Sequence, residues 1–131
     1  MLNLMKDVYL TYVLNPPEGT FPSAVLIYAG LQPLVNSNPP NLMKRIDILK
    51  TDRSHLDVLK DLEGKISDKI LETPQIHSTY EGIECRGYLA LGSWPKVGES
   101  EEVASARAKK NTDERNSKIL EIYKDFIKGF D

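Results

Sequence analysis

Five residues constrain this chain most: Leu56, Leu59, Leu62, Ile66 and Ile70. Steps of three and four place them on one side of a helix, as an apolar stripe that another element must cover. Ser54, with Asp57 three residues on, resembles the capping box that opens a helix, although Asp is shorter than the usual Glu. Thr73-Pro74 closes it, because the residue before a proline avoids helical dihedrals. Gly64 costs such a helix about 1 kcal/mol relative to Ala, so packing has to hold the stripe. Asp61, Lys65 and Lys69, four apart, mark a wetter side where ion pairs add a few tenths of a kcal/mol each.

The flanks of this helix read as strands. In residues 43–50, Ile46 and Ile48 alternate with Arg45 and Asp47, the period of a strand with Ile46 and Ile48 on its buried face. Leu49 interrupts the polar side, so part of that side is expected to be covered too. After the helix, residues 75–80 and 83–91 flank Glu81-Gly82, a tight-turn pair in which Gly supplies a positive φ. Ile83, Cys85, Gly87, Leu89 and Leu91 share one side of the second strand, and Glu84, Arg86 and Tyr88 the other. That alternation suits an antiparallel sheet with one face on a helix and one face exposed.

Towards the N-terminus, Leu2, Met5, Val8, Tyr9, Tyr12 and Val13 recur at three and four. This recurrence predicts a short amphipathic helix over 2–14, with a strand at Tyr12-Val13-Leu14 as the alternative. Asn15-Pro16-Pro17 stops either one. The apolar run from Ala24 to Ala29, bounded by Pro22 and Gly30, predicts a strand covered on both faces. Pro33, Asn36, Asn38, Pro39 and Pro40 make 32–41 a loop, long for a connection between strands. Near the C-terminus Ile119, Ile122, Tyr123, Phe126, Ile127 and Phe130 draw a second helical stripe, over 113–128 and continuous with 100–110 in the longer reading. The expected fold is therefore α+β: a small, mostly antiparallel sheet of about four strands, a long central helix, a short N-terminal helix and a C-terminal helix. The expected division is a core over 1–99 and a helical extension over 100–131.

Size and composition narrow the function. A chain of 131 residues has room for one core. Its 40% hydrophobic and 27% charged residues fit a soluble globular protein. A net charge of −2 supplies no basic field for nucleic acid. One cysteine rules out an internal disulfide and a multi-cysteine zinc site. Lys6 and Asp7 interrupt the first apolar residues, so no secretory leader is expected. The apolar run 24–31 is too short to cross a bilayer.

No catalytic motif is legible. His55 and His77 lack a second ligand at metal spacing, and Cys85 shares a side with Ile83 and Leu89, as a buried thiol would. Glu63-Gly64-Lys65 matches the Glu-x-Lys of some nucleases but falls inside a helix, where that chemistry wants a strand. Asp47 and Asp52 are read as a surface charge and a cap. Arg107, Lys109, Lys110, Arg115 and Lys118, interleaved with acids, are read as a solvated helix face. Trp94, beside Pro95 on the loop 92–98, is the best candidate for a contact residue, with a Trp folded back on its own domain as the alternative. No cofactor or metal ligand set is expected.

The order of elements resembles the tail-terminator or tail-completion proteins of long-tailed bacteriophages. The resemblance is carried by Asp7-Val8-Tyr9-Leu10 with Asn15-Pro16-Pro17, the strand 24–28 followed by Gly30, Arg45-Ile46-Asp47-Ile48-Leu49, the helix 55–71 and the hairpin 76–91. It covers roughly 5–95, and the C-terminal helical stripe departs from it. It implies a non-enzymatic subunit of the virion. Copies would form a hexameric ring that caps the tail tube and meets the head connector, with other tail and connector proteins as partners. It implies neither membrane contact nor sequence-specific nucleic-acid binding. The loops 32–41 and 92–100 would then be docking arms, with Asn36, Asn38, Asn41, Trp94 and Pro95 as candidate interface residues. The alternative class is a small cytoplasmic accessory enzyme or ligand-binding protein of viral or microbial origin.

Overall fold

The structure, a computed structural model, describes residues 4–15, 23–34, 43–90 and 96–130. Five strands and two helices follow in the order β1 (Lys6–Asn15), β2 (Ala24–Gly30), β3 (Met43–Thr51), α1 (His55–Ile70), β4 (Ile76–Tyr80), β5 (Ile83–Leu89) and α2 (Glu101–Lys128). The strands form one sheet in the order β3-β1-β2-β5-β4, and every neighbouring pair is antiparallel. The α+β class is as expected, with five strands in place of about four.

The fifth strand is the N-terminal segment, expected as a helix. β1 lies between β2 and β3, paired with both. A strand in that position needs apolar side chains on both faces, and Val8, Leu10, Tyr12 and Val13 are all buried. With both faces apolar, alternation is hidden, and spacings of three and four occur by accident. The β-branched and aromatic content of Val8, Tyr9, Tyr12 and Val13 is the signal that favours the strand.

Both helices pack on one face of the sheet. Val8, Leu10 and Tyr12 of β1, Val25, Ile27 and Ala29 of β2, Leu49 of β3 and Tyr88 of β5 meet Val58, Leu59, Leu62 and Ile66 of α1. Ile119, Ile122, Tyr123 and Phe126 of α2 join the same cluster. The central stripe is thus a core seam, with Leu62 and Ile66 fully enclosed. The Ser54 side chain accepts from Asp57 N–H at the start of α1, and Leu71 ends it in a left-handed conformation, φ 56°. α1 therefore stops before Thr73-Pro74 is reached. The C-terminal stripe lies on a single helix from Glu101 to Lys128.

Polar joints fix how α2 sits. The Tyr123 hydroxyl lies 3.1 Å from Leu10 O and 3.2 Å from Asp47 Oδ2. Its ring tilts against Tyr12, centroids 5.4 Å apart. Asn116 Nδ2 donates to Ser23 Oγ at 3.2 Å. On the other flank the guanidinium of the buried Arg86 meets Glu63 at 3.3 Å and Glu84 at 3.6 Å.

β3 corrects a second expectation. Ile46 and Ile48 do not face the core: they are 45% and 56% exposed, and Leu49 and Thr51 are the buried residues. The register with β1 sets this, pairing Leu49 with Val8, and Ile48 with Tyr9. A shift of one residue would turn every side chain over. The observed phase also brings Asp47 under the Tyr123 hydroxyl and beside Arg45, 2.8 Å away, so the polar pair on the helix side is satisfied.

Leu62→Asp places a carboxylate in the fully enclosed seam, at a cost of several kcal/mol. The variant should show no cooperative melt by circular dichroism, and a soluble variant with a normal melt would contradict the packing. Burial pushes Tyr12 and Tyr28 up to about 12, and raises Tyr88 and Tyr123 as well. Unfolded tyrosine ionises near pH 10, so this stabilisation is complete below about pH 10 and is lost as pH rises through about 12. Melting temperature should fall across that window together with the appearance of phenolate absorbance. Ionisation of all six tyrosines near pH 10 with the fold intact would contradict it.

Candidate functional site

The sheet has a second face, and among the described residues neither helix lies on it. Antiparallel partners point the same way, so the registers define three rows across all five strands. The first is Lys44, Val13, Leu26, Gly87 and Ile76. The second is Ile46, Thr11, Tyr28, Cys85 and Ser78. The third runs from Ile48 through Tyr9 and Gly30 to Ile83 and Tyr80. Lys44 is the single charge in these three rows, which are mostly apolar, and the next row on this face pairs Asp7 with Lys50.

Its centre is closed and its margins are open. Val13, Thr11, Ile83 and Cys85 are buried, whereas Ile46, Ile48 and Tyr80 are 45%, 56% and 72% exposed. Gly87 allows a close crossing. A Cβ there would stand 2.8 Å from Ile76 Cβ and 2.9 Å from Leu26 Cδ2, so these two side chains crowd in over β5 only because the position is bare. The β4–β5 turn is made by Glu81 and Gly82 at φ 51° and 80°. Positive φ at both central residues is the two-residue hairpin geometry whose twist matches the strands.

A groove of about 650 Å³ runs along the β2–β5–β4 side of this face. Leu26, Tyr28, Leu34, Ile76, Tyr80 and Ile83 line it, with Ser78 and Cys85 at its floor. Lys44 Nζ donates to Leu34 O at 2.9 Å and ties the chain after β2 to the start of β3. Burial pushes the Cys85 thiol up, opposed by the neighbouring Ser78 and Tyr28 hydroxyls and by the Arg86 charge. The thiol is therefore held protonated, as a small apolar group. A second hollow of about 670 Å³ lies between α1 and α2, over Ile122, Phe126 and Phe130. Its rim charges are largely paired off, Asp61 with Arg53 at 3.1 Å and with Lys65 at 3.8 Å.

The residues singled out from sequence are scattered. Trp94, Pro95, Asn36, Asn38 and Asn41 lie outside the described residues. His55 begins α1, and His77 is exposed on β4. Glu63 is engaged by Arg86, and Lys65 by Asp61, so the Glu-x-Lys pair serves two separate ion pairs. In the basic cluster of α2, Arg107 pairs with Glu99, Lys109 with Asp113 and Arg115 with Glu72. Among the described residues no group of three or more His, Cys, Asp or Glu is placed to hold a metal ion. No helix there is long and apolar enough to cross a membrane.

The open apolar face is the site that sequence reasoning passed over. Its signal was present in Ile46, Ile48, Ile83, Cys85 and Leu89, which alternate as one side of a strand. What was missing was the register that turns that side away from the helices. Comparison with protein-family models, with curated proteins and with solved structures finds no match to this chain.

A protonated, enclosed thiol reacts slowly. Cys85 should react with a disulfide reagent such as DTNB at least tenfold more slowly in the native protein than in denaturant, roughly as burial of a thiol predicts. Equal rates in the two states would contradict the enclosure of this face at its centre.

Proposed function

We propose that this protein is a non-enzymatic structural subunit that works by associating with copies of itself. Joined to the family resemblance, the reading becomes a ring-forming tail terminator or neck subunit of a tailed phage, set between tail tube and head connector. The observation that carries self-association is the apolar open face, which ends in exposed Ile46 and Ile48 at one edge and exposed Tyr80 at the other. Large apolar side chains left exposed side by side at the margin of a sheet are the kind of surface that interaction sites use. The two sheet edges, β3 and β4, which have no further strand among the described residues, favour further copies of the chain as the partner. Head-to-tail contacts that close into a ring leave no edge free, and a closed assembly is stable against open-ended growth. The elements that vary from a plain two-layer domain are then those that would meet other tail and connector proteins.

The groove supports a second reading. Its volume of about 650 Å³ lies within the range of small-molecule sites, and Tyr28, Ser78 and Cys85 offer a few polar groups on an apolar floor. A ligand-binding protein would use the same face for a small apolar molecule.

Native mass separates the two. Self-association predicts a multiple of the subunit mass that dissociates on dilution, whereas one copy at every concentration would sink it. Ile48→Glu, on an exposed side chain, should leave the melting temperature within a few degrees while shifting the mass to a single copy. Tight uptake of an apolar dye by a single-copy protein would favour the second reading.

A further inference from the structure

The two sheet edges are guarded differently. β3 carries Lys44, Arg45, Asp47 and Lys50, charges of the kind that keep edge strands from pairing indiscriminately. β4 reads Ile76-His77-Ser78-Thr79-Tyr80, without an acid, a lysine, an arginine or a proline, and its last four residues are exposed. Its pairing with β5 is one to one throughout, so no bulge twists it away. An unbroken, unguarded edge is a template for another strand.

We propose that β4 of one copy adds antiparallel to β3 of the next, with Tyr80 opposite Ile46 and Glu81 opposite Arg45. The inference rests on the self-association proposed above and names its contact. In this register the sides of the two sheets coincide. Ile46 and Tyr80, both exposed on the open face, become a β-branched and aromatic cross-strand pair, one of the favourable combinations. Glu81, in the turn at the rim of the groove, comes level with Arg45, whose Nε and Nη2 are engaged by Asp47 and whose Nη1 remains for a second carboxylate. Ile48 falls beside Ser78, and Asp47 beside Thr79, so no like charges oppose. The alternatives are poorer. Two β3 strands in full overlap would set Lys44 against Lys50 and Asp47 against Asp47. Two β4 strands would leave Ile46 and Ile48 in water. One head-to-tail contact covers both apolar margins, and its repetition gives a ring when the rotation between copies closes.

Cross-linking of the full chain tests this. A double variant, Ile46→Cys with Tyr80→Cys, treated with a short bis-maleimide, should give a ladder of covalent multimers on a denaturing gel. The two single variants mixed should stop at dimers, and each alone should match the unaltered chain, whose Cys85 sets the background. Glu81→Arg should raise the midpoint concentration for association about fivefold, while Glu121→Arg on the exposed side of α2 leaves it unchanged. A Ser78→Cys chain that cross-links to itself above background would show β4 pairing with β4 and overturn the proposal. Oligomers without the ladder would overturn it too, while leaving self-association in place. A single copy at every concentration would remove both.

Discussion

The placement of β1 between β2 and β3 is the constraint on which the remainder depends. A strand sends alternate side chains to opposite faces, so two registers read from one strand orient the whole sheet. Leu10 illustrates it. It pairs with Ala29 on one side and Asp47 on the other, and its carbonyl meets the Tyr123 hydroxyl from α2. With that row fixed, Val8 and Tyr12 face the helices, and Tyr9, Thr11 and Val13 face away. Every later strand inherits the division.

Two helices side by side cover one face of a five-stranded sheet, and among the described residues no helix lies on the other. Their packing is apolar at the centre, around Leu62 and Ile66, and polar at the flanks, where Tyr123, Asn116 and Arg86 each reach a defined partner. Hydrogen bonds of this sort contribute about 1 kcal/mol each and more through orientation, since a helix that slides would strand a buried donor. α2 belongs to this arrangement through its second half, while its first half bears the ion pairs of Arg107 and Lys109.

Much of the fold was legible. The stripe of α1, its Ser54 cap, the hairpin turn at Glu81-Gly82 and the long C-terminal helix follow from local spacing and turn chemistry, which act over a few residues. Two features were not. β1 resembled a helix because a central strand is apolar on both faces, so its true period does not show. β3 and β5 alternated visibly, but alternation says only that two sides differ. The side that meets the helices is settled by neighbours distant in sequence, here Val8 opposite Leu49 and Tyr28 opposite Cys85. The open face stays hidden for that reason: spacing alone assigns Ile46, Ile48, Ile83 and Cys85 to the core side, and only the long-range registers turn them away from the helices.

The glycine at position 87 has one more consequence. Ile76 and Leu26 both close over the bare position, so β4 is fastened by its ladder to β5 and a small apolar clasp, with its last four residues exposed. Regions with few enclosed contacts open at the lowest free energy. β4 is therefore the least enclosed strand of the sheet, and the place where local opening is expected to begin, while the strands under the two helices stay closed.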